Sequence, residues 1–257
     1  MFIDTHCHLD DAKLLDNVQN VVQNYENNGV KYAITMGCEL NTSLICKDLA
    51  EKYESVYFGA GIHPMDVKDA TDKDLEEILK LSSHAKCACV GEVGVDLYWD
   101  KTYKEKQIEY FYKLIDLAYT AKLPMSIHMR DATLDTMTAL KNSKNKLVYG
   151  GVLHCYAGSK ETLKEVLDLG LHVGFGGTLT FKNARNVLEV AKVTPLDRIL
   201  TETDCPFLSP EPFRGTVNEP KNIPIIVAKL AEVLNLDREY TARKIMDNAK
   251  AVFKKLK

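Results

Sequence analysis

The sequence predicts a closed (β/α)₈ barrel, an α/β fold of eight parallel strands each followed by a helix, with further helices at the C-terminal end. Three observations predict it. Short segments rich in β-branched and apolar residues recur eight times along the chain, and stretches with helical spacing separate them. The first strand segment ends in His6-Cys7-His8, whereas a doubly wound open sheet usually begins with a glycine-rich turn.

The strand segments are 2–9, 32–38, 56–64, 88–96, 124–130, 151–156, 172–180 and 199–205. Helical spacing covers 13–28, 42–53, 72–83, 104–121, 132–141, 160–169 and 183–192. Leu75, Ile78, Leu79 and Leu81 form one apolar stripe, and Leu163, Val166, Leu167 and Leu169 another. Thr71 stands where an N-cap belongs, and Gly29 and Gly170 stand where two helices should stop. From Pro220 onward the tail reads as two more helices, 220–235 and 237–256. Strands alternating with helices imply parallel pairing, and eight such strands close a barrel without leftover edges. No linker-like or low-complexity segment divides the chain, so residues 1–257 are expected to form a single domain.

Bulk properties narrow the class. A hydrophobic fraction of 46% with 27% charged residues is ordinary for a globular protein and excludes disorder as the main state. The net charge of −3 gives no global footprint for nucleic acid, so a phosphate-bearing substrate would need a local cluster of positive charge. Seven scattered cysteines, no signal-peptide pattern and no membrane-length apolar run predict a reduced, cytoplasmic protein without a membrane partner. No obligate protein partner is indicated.

Chemistry concentrates at the ends of the strand segments. His6 and His8 share a face because strand side chains alternate, about 6–7 Å apart at the Cα level. Glu92 ends the run Cys89-Val90-Gly91-Glu92, His128 follows Met125-Ser126-Ile127, His154 follows Gly151-Val152-Leu153, and Asp204 closes Ile199-Leu200-Thr201-Glu202-Thr203-Asp204. In a closed parallel barrel the carboxyl ends of all strands meet at one rim, where active sites are assembled. Four histidines and two carboxylates are thus brought to one place. A nitrogen and oxygen donor set suits zinc, manganese, magnesium, nickel or iron. Six donors exceed the needs of one tetrahedral ion, whereas a carboxylate bridging two ions about 3.5–4 Å apart uses them all. Two divalent metal ions per chain are therefore expected. Alternation turns Cys7, Cys155 and Cys205 away from the neighbouring ligands, and a regular strand puts Cys87 and Cys89 opposite Glu92. All five read as small buried hydrophobes.

Seven ordered segments carry a resemblance. They are Asp4-Thr5-His6-Cys7-His8-Leu9, Gly61-Ile62-His63-Pro64, Gly91-Glu92-Val93-Gly94-Val95-Asp96, His128-Met129-Arg130, Leu153-His154-Cys155-Tyr156-Ala157-Gly158, Glu202-Thr203-Asp204-Cys205-Pro206 and Arg214-Gly215-Thr216-Val217-Asn218-Glu219-Pro220. In these the chain resembles the TatD-like deoxyribonucleases, amidohydrolase-like metal-dependent barrels, over essentially its whole length. The resemblance implies a metal-dependent nuclease, with DNA as substrate and cleavage often at ends. It also implies that His6, His8, Glu92 and Asp204 hold one ion and that Glu92 bridges to a second held by His128 and His154. Met65 stands where many relatives have another histidine, and Tyr156 and Ala157 stand where Phe and Ser are common; neither change touches the six expected ligands.

The expected reaction is hydrolysis by a metal-activated water. Asp204 and Glu92 are the expected catalytic carboxylates, with Asp204 orienting or deprotonating the water. His63, Arg130 and Arg214 are candidate substrate-binding residues, since arginine matches phosphate oxygens with a planar fork. Tyr98 and Trp99 either stack a base or pack in the core. Three classes stay open at this point: a phosphodiesterase acting on nucleic acid, an amide or ester hydrolase of the same barrel superfamily, and a metal-binding protein without turnover. The complete ligand set disfavours the third and the arginines favour the first. The superfamily's mononuclear hydrolases often carry a lysine at the fourth strand, where this chain has Glu92.

Overall fold

The computed structural model describes residues 1–257. The apolar segments form eight strands: β1 (Phe2–Cys7), β2 (Val30–Met36), β3 (Val56–Ala60), β4 (Cys87–Asp96), β5 (Met125–Arg130), β6 (Gly151–Leu153), β7 (His172–Phe175) and β8 (Ile199–Thr201). Each neighbouring pair is parallel, in the order β1-β2-β3-β4-β5-β6-β7-β8. A strand covered on both faces reads as a near-continuous apolar run. β4 is such a strand, with all ten of its residues buried and Glu92 and Asp96 its only charged side chains.

The seam between β8 and β1 is stitched differently from the other seven. Thr5 Oγ1 donates to the Thr201 carbonyl at 3.1 Å, and the Thr203 N–H donates to Asp4 Oδ1 at 2.9 Å. Towards the rim, the Asp204 N–H reaches the His6 carbonyl at 2.9 Å and the His8 N–H reaches the Cys205 carbonyl at 2.8 Å. Buried Asp4 therefore ties the end of the chain's last strand to its first.

Ten helices accompany the strands: α1 (Ala12–Leu15), α2 (Val18–Asn27), α3 (Leu40–Lys52), α4 (Asp72–Ser82), α5 (Lys104–Ala121), α6 (Thr133–Asn142), α7 (Lys160–Asp168), α8 (Arg185–Val193), α9 (Ile223–Leu234) and α10 (Arg238–Val252). Thr71 and Asp74 form a reciprocal capping box at the start of α4, a device worth about 0.5–2 kcal/mol. Gly29 and Gly170 stop α2 and α7 at φ of +79° and +78°, a conformation that side chains with a Cβ rarely adopt. The two tail helices form as expected, and α10 packs against β1 and β8. Asn248 on α10 donates to the carbonyls of Leu196 and Ile199 at 2.7 and 2.9 Å, sealing the seam from outside. No helix is long and apolar enough to cross a membrane.

Several element boundaries differ from the sequence expectation. The helix expected over 13–28 is two helices, because Asn17 leaves helical geometry at φ −120°, ψ 18°. Strand β3 ends four residues early, before the 3₁₀ turn Pro64–Asp66, and strands β6, β7 and β8 end three to five residues early. In each case the chain turns at the rim: Cys155 and Asp204 have φ of 45° and 54°, and residues Gly177–Thr180 form a 3₁₀ turn. His154 and Asp204 thus sit on the first turns beyond their strands instead of closing them.

Candidate metal centre

All six expected ligands meet in one cluster at the carboxyl rim. The Glu92 carboxylate organises it. Glu92 Oε2 lies 3.3 Å from His6 Nε2 and 3.4 Å from His8 Nε2. Glu92 Oε1 faces the other way, 2.8 Å from His128 Nδ1 and 2.7 Å from His154 Nε2. Asp204 Oδ1 completes the first group at 3.8 and 3.5 Å from the same nitrogens of His6 and His8. One carboxylate therefore has a separate donor group at each oxygen.

The donor chemistry fits a cation. His8 Nδ1 donates to the Met36 carbonyl at 3.1 Å, which leaves its Nε2 lone pair for the cluster. His128 Nε2 pairs with Asp96 Oδ2 at 2.9 Å, which leaves Nδ1 for the cluster. Yet His6 Nε2 and His8 Nε2 are 3.3 Å apart, and His128 Nδ1 and His154 Nε2 are 3.1 Å apart. Lone pairs of nitrogen and carboxylate converging at such distances call for positive charge between them.

The electrostatics agree. Burial pushes the Glu92 carboxyl up, but His154, His63 and His6 outweigh it and hold it well below the usual carboxylate range. Asp204 is likewise lowered: burial raises it, and the hydrogen bond to His8 and the charges of His154 and His6 win. Burial lowers His128, yet Asp96 and Glu92 bring it up to about 9. Burial and His154 push His6 down to about 4, so the protons are shared unevenly over the cluster. Protons and metal ions compete for the same negative pocket, and ion affinity should fall on acidification.

A cavity of about 690 Å³ opens over the cluster, lined by His8, His63, Glu92, His128, His154 and Asp204, by half-buried Asp10 and by the exposed Trp99, Arg130 and Phe207. His63 Nε2 comes within 3.6 Å of Glu92 Oε1, nearer to the cluster than a purely substrate-facing residue needs to be. Arg130 is exposed at the mouth, its guanidinium 3.9 Å from the ring centre of Tyr98 and 5.2 Å from that of Trp99. Tyr98 and Trp99 are themselves 51% and 66% exposed, so they belong to the rim and not to the core. Arg214 is not brought here. Its guanidinium lies over the Phe181 ring at 3.8 Å and donates to the Ser209 carbonyl at 3.2 Å, outside the cavity lining.

Two residues near the cluster escaped sequence reasoning. Asp96 is on the same face of β4 as Glu92, four residues on, and that period-two relation was the available signal. Cys38 Sγ lies 3.9 Å from His8 Nδ1 at the cavity wall, and nothing in its sequence context marks it. Cys7, Cys87, Cys89 and Cys205 are buried away from the donors, and all seven cysteines are free.

Asp96 provides a first expected result. A carboxylate on the far nitrogen of a ligating imidazole fixes its tautomer and orientation, and losing it typically costs 10–100-fold in metal affinity. Asp96→Asn should weaken the ion on the His128 side by roughly that factor, read by calorimetric titration, while the His6–His8 side keeps its affinity.

A parallel eight-stranded barrel carrying this histidine and carboxylate cluster at its carboxyl rim has the build of a metal-dependent hydrolase. The family profile described as TatD related DNase matches residues 3–254. The chain is 39% identical over 254 residues to the uncharacterized metal-dependent hydrolase YabD of Bacillus subtilis (strain 168), covering 99% of each chain. It is 33% identical over 254 residues to the uncharacterized metal-dependent hydrolase YcfH of Escherichia coli (strain K12), covering 98% of this chain and 95% of that one. The crystal structure of YJJV, a TatD homolog from Escherichia coli K12, matches with a TM-score of 0.94 at 29% identity over 98% of both chains. The chain belongs to the TatD family of metal-dependent hydrolases.

Proposed function

We propose that this protein is a nuclease that hydrolyses phosphodiester bonds of DNA, at or near ends, with two divalent ions held by His6, His8, Glu92, Asp204, His128 and His154. The observation that carries the reading is the division of Glu92, with Oε2 towards His6 and His8 and Oε1 towards His128 and His154. A pair of bound ions supplies Lewis acidity and a more acidic water, and suits in-line displacement at phosphorus because attacking and leaving oxygens can both be stabilised. Asp204, beside His6 and His8, takes the proton of the attacking water. Arg130, held at the mouth by the faces of Tyr98 and Trp99, grips a phosphate oxygen of the scissile or neighbouring group. The match to the profile described as TatD related DNase supports DNA as the nucleic acid. Arg214 has a smaller part in this reading, because its fork is turned towards Phe181.

The test is digestion of end-labelled DNA and RNA oligonucleotides with magnesium, manganese or zinc, beside a panel of nitrophenyl esters and amides. DNA cleavage that exceeds ester turnover supports the nuclease. A clear preference for carboxylic esters or amides moves the protein to the other hydrolase class. Arg130→Ala should raise KM for oligonucleotides roughly tenfold, about 1.4 kcal/mol, with kcat nearly unchanged, because a ground-state phosphate contact contributes uniform binding. Bound metal should be unaffected. An unchanged KM would remove Arg130 from substrate binding.

A further inference from the structure

Each imidazole of the cluster has a partner for its outward nitrogen, with one exception. His6 Nδ1 pairs with Ser126 Oγ at 2.9 Å, His8 Nδ1 with the Met36 carbonyl at 3.1 Å, and His128 Nε2 with Asp96 at 2.9 Å. His154 Nδ1 is buried and has no hydrogen-bond partner. A buried polar atom left unpaired costs about 1–3 kcal/mol, so what faces it matters.

Glu202 faces it. Its Oε1 lies 3.8 Å from His154 Nδ1, the residue is fully buried, and its Oε2 also lacks a partner. Oε1 accepts the N–H of Cys155, the residue after His154, whose φ of 45° belongs to the turn that carries His154 into the cluster. Space for the carboxylate comes from Gly174 on β7, where a Cβ would overlap Glu202 Oε2. An unpaired buried imidazole nitrogen and a half-satisfied buried carboxylate thus stand side by side in a cradle that only a glycine leaves open.

We propose that Glu202 is the positioning residue of His154, accepting its Nδ1–H and fixing the tautomer whose Nε2 lone pair faces Glu92 Oε1. The 3.8 Å separation exceeds a normal N–H···O contact by about 0.9 Å, a gap that a small side-chain rotation closes. Glu202 then does for His154 what Asp96 does for His128, and both imidazoles of the second ion have a carboxylate behind them. The proposal rests on the two-ion reading above, and its test separates the two.

The full-length wild type, Glu202→Ala, Glu202→Met and Gly174→Ala are stripped with chelator and titrated calorimetrically with Mn²⁺. Wild type should show two binding events. Glu202→Ala should weaken one of them by roughly 10–100-fold and leave the other unchanged. Gly174→Ala keeps the carboxylate but displaces it, and should weaken the same event. Where Glu202→Ala does not fold, Glu202→Met carries the same expectation, because it fills the cradle and has no oxygen to accept from Nδ1. A single event in wild type defeats the two-ion reading. Two events in wild type that persist unchanged in the Glu202 variants overturn the positioning role alone.

A second readout tests the hydrogen bond directly. In the Zn²⁺-loaded protein, which is diamagnetic, the Nδ1–H of His154 can be followed in proton and ¹⁵N histidine spectra, assigned by its loss in His154→Gln. Held by Glu202, that proton should lie downfield and exchange slowly with water, and Glu202→Ala should move it upfield and speed its exchange. A wild-type Nδ1–H at the position of an unbonded imidazole, or a Glu202→Ala spectrum identical to wild type, overturns the proposal.

Discussion

Glu92→Ala should strip the protein of both ions at once. Each oxygen of that carboxylate faces its own pair of imidazoles within 2.7 to 3.4 Å, so Glu92 is common to both groups. Removing a mere supporting partner of a ligand costs 10–100-fold in affinity, and removing the shared ligand should cost more than about 100-fold at each site. Elemental analysis after desalting should fall from two ions per chain towards none, with turnover falling alongside. The fold should persist, because Glu92 sits at the rim of a barrel whose strands are paired independently of it. One tightly held ion that survives the substitution would leave the site mononuclear and Glu92 outside it.

Asp204→Asn should separate catalysis from metal retention. Asp204 has φ of 54°, and asparagine is among the few residues that adopt this conformation readily, so its backbone bond to the His6 carbonyl at 2.9 Å should survive. The neutral amide is a weak ligand and a very poor proton acceptor. We expect the ion between His128 and His154 to stay and turnover of oligonucleotides to fall by two or more orders of magnitude, roughly the range of lost general-base action. Near wild-type cleavage at neutral pH with full metal occupancy would assign the proton to another group, and His63, 3.6 Å from Glu92 Oε1, would be the first to examine.

Much of this arrangement is legible in the sequence for a geometric reason. Parallel barrels put strand ends in one plane, so a polar residue closing an apolar run is placed without knowledge of anything else, and His6, Glu92 and His128 follow from that alone. His154 and Asp204 needed one step more, because β6 and β8 are only three residues long and the ligands ride on turns beyond them. Strand length is set by pairing with neighbours, which periodicity within one segment does not encode. Arg214 illustrates the harder limit. A loop after the last strand suggests a site residue, but Phe181, distant in sequence, offers a ring face that holds the guanidinium away. Glu202 was visible only as one acid among Thr201, Thr203 and Asp204, since its meaning depends on His154 and on the missing side chain at Gly174.

The seam between β8 and β1 gives the site a place in the folding history of the chain. Its donors span positions 6 to 204, and those at the two extremes meet only where Asp4, Thr5, Thr201 and Thr203 join the last strand to the first. Contacts of such sequence separation carry the largest loop-closure cost in the chain. A chain that has not closed the ring lacks the donor group of His6, His8 and Asp204, whatever its secondary structure. Ion binding at that group would therefore draw on the free energy of closure, and a bound ion would repay it by favouring the native state over the opened ring through mass action. Metal supply would then act as a thermodynamic latch on the joint between the last strand and the first.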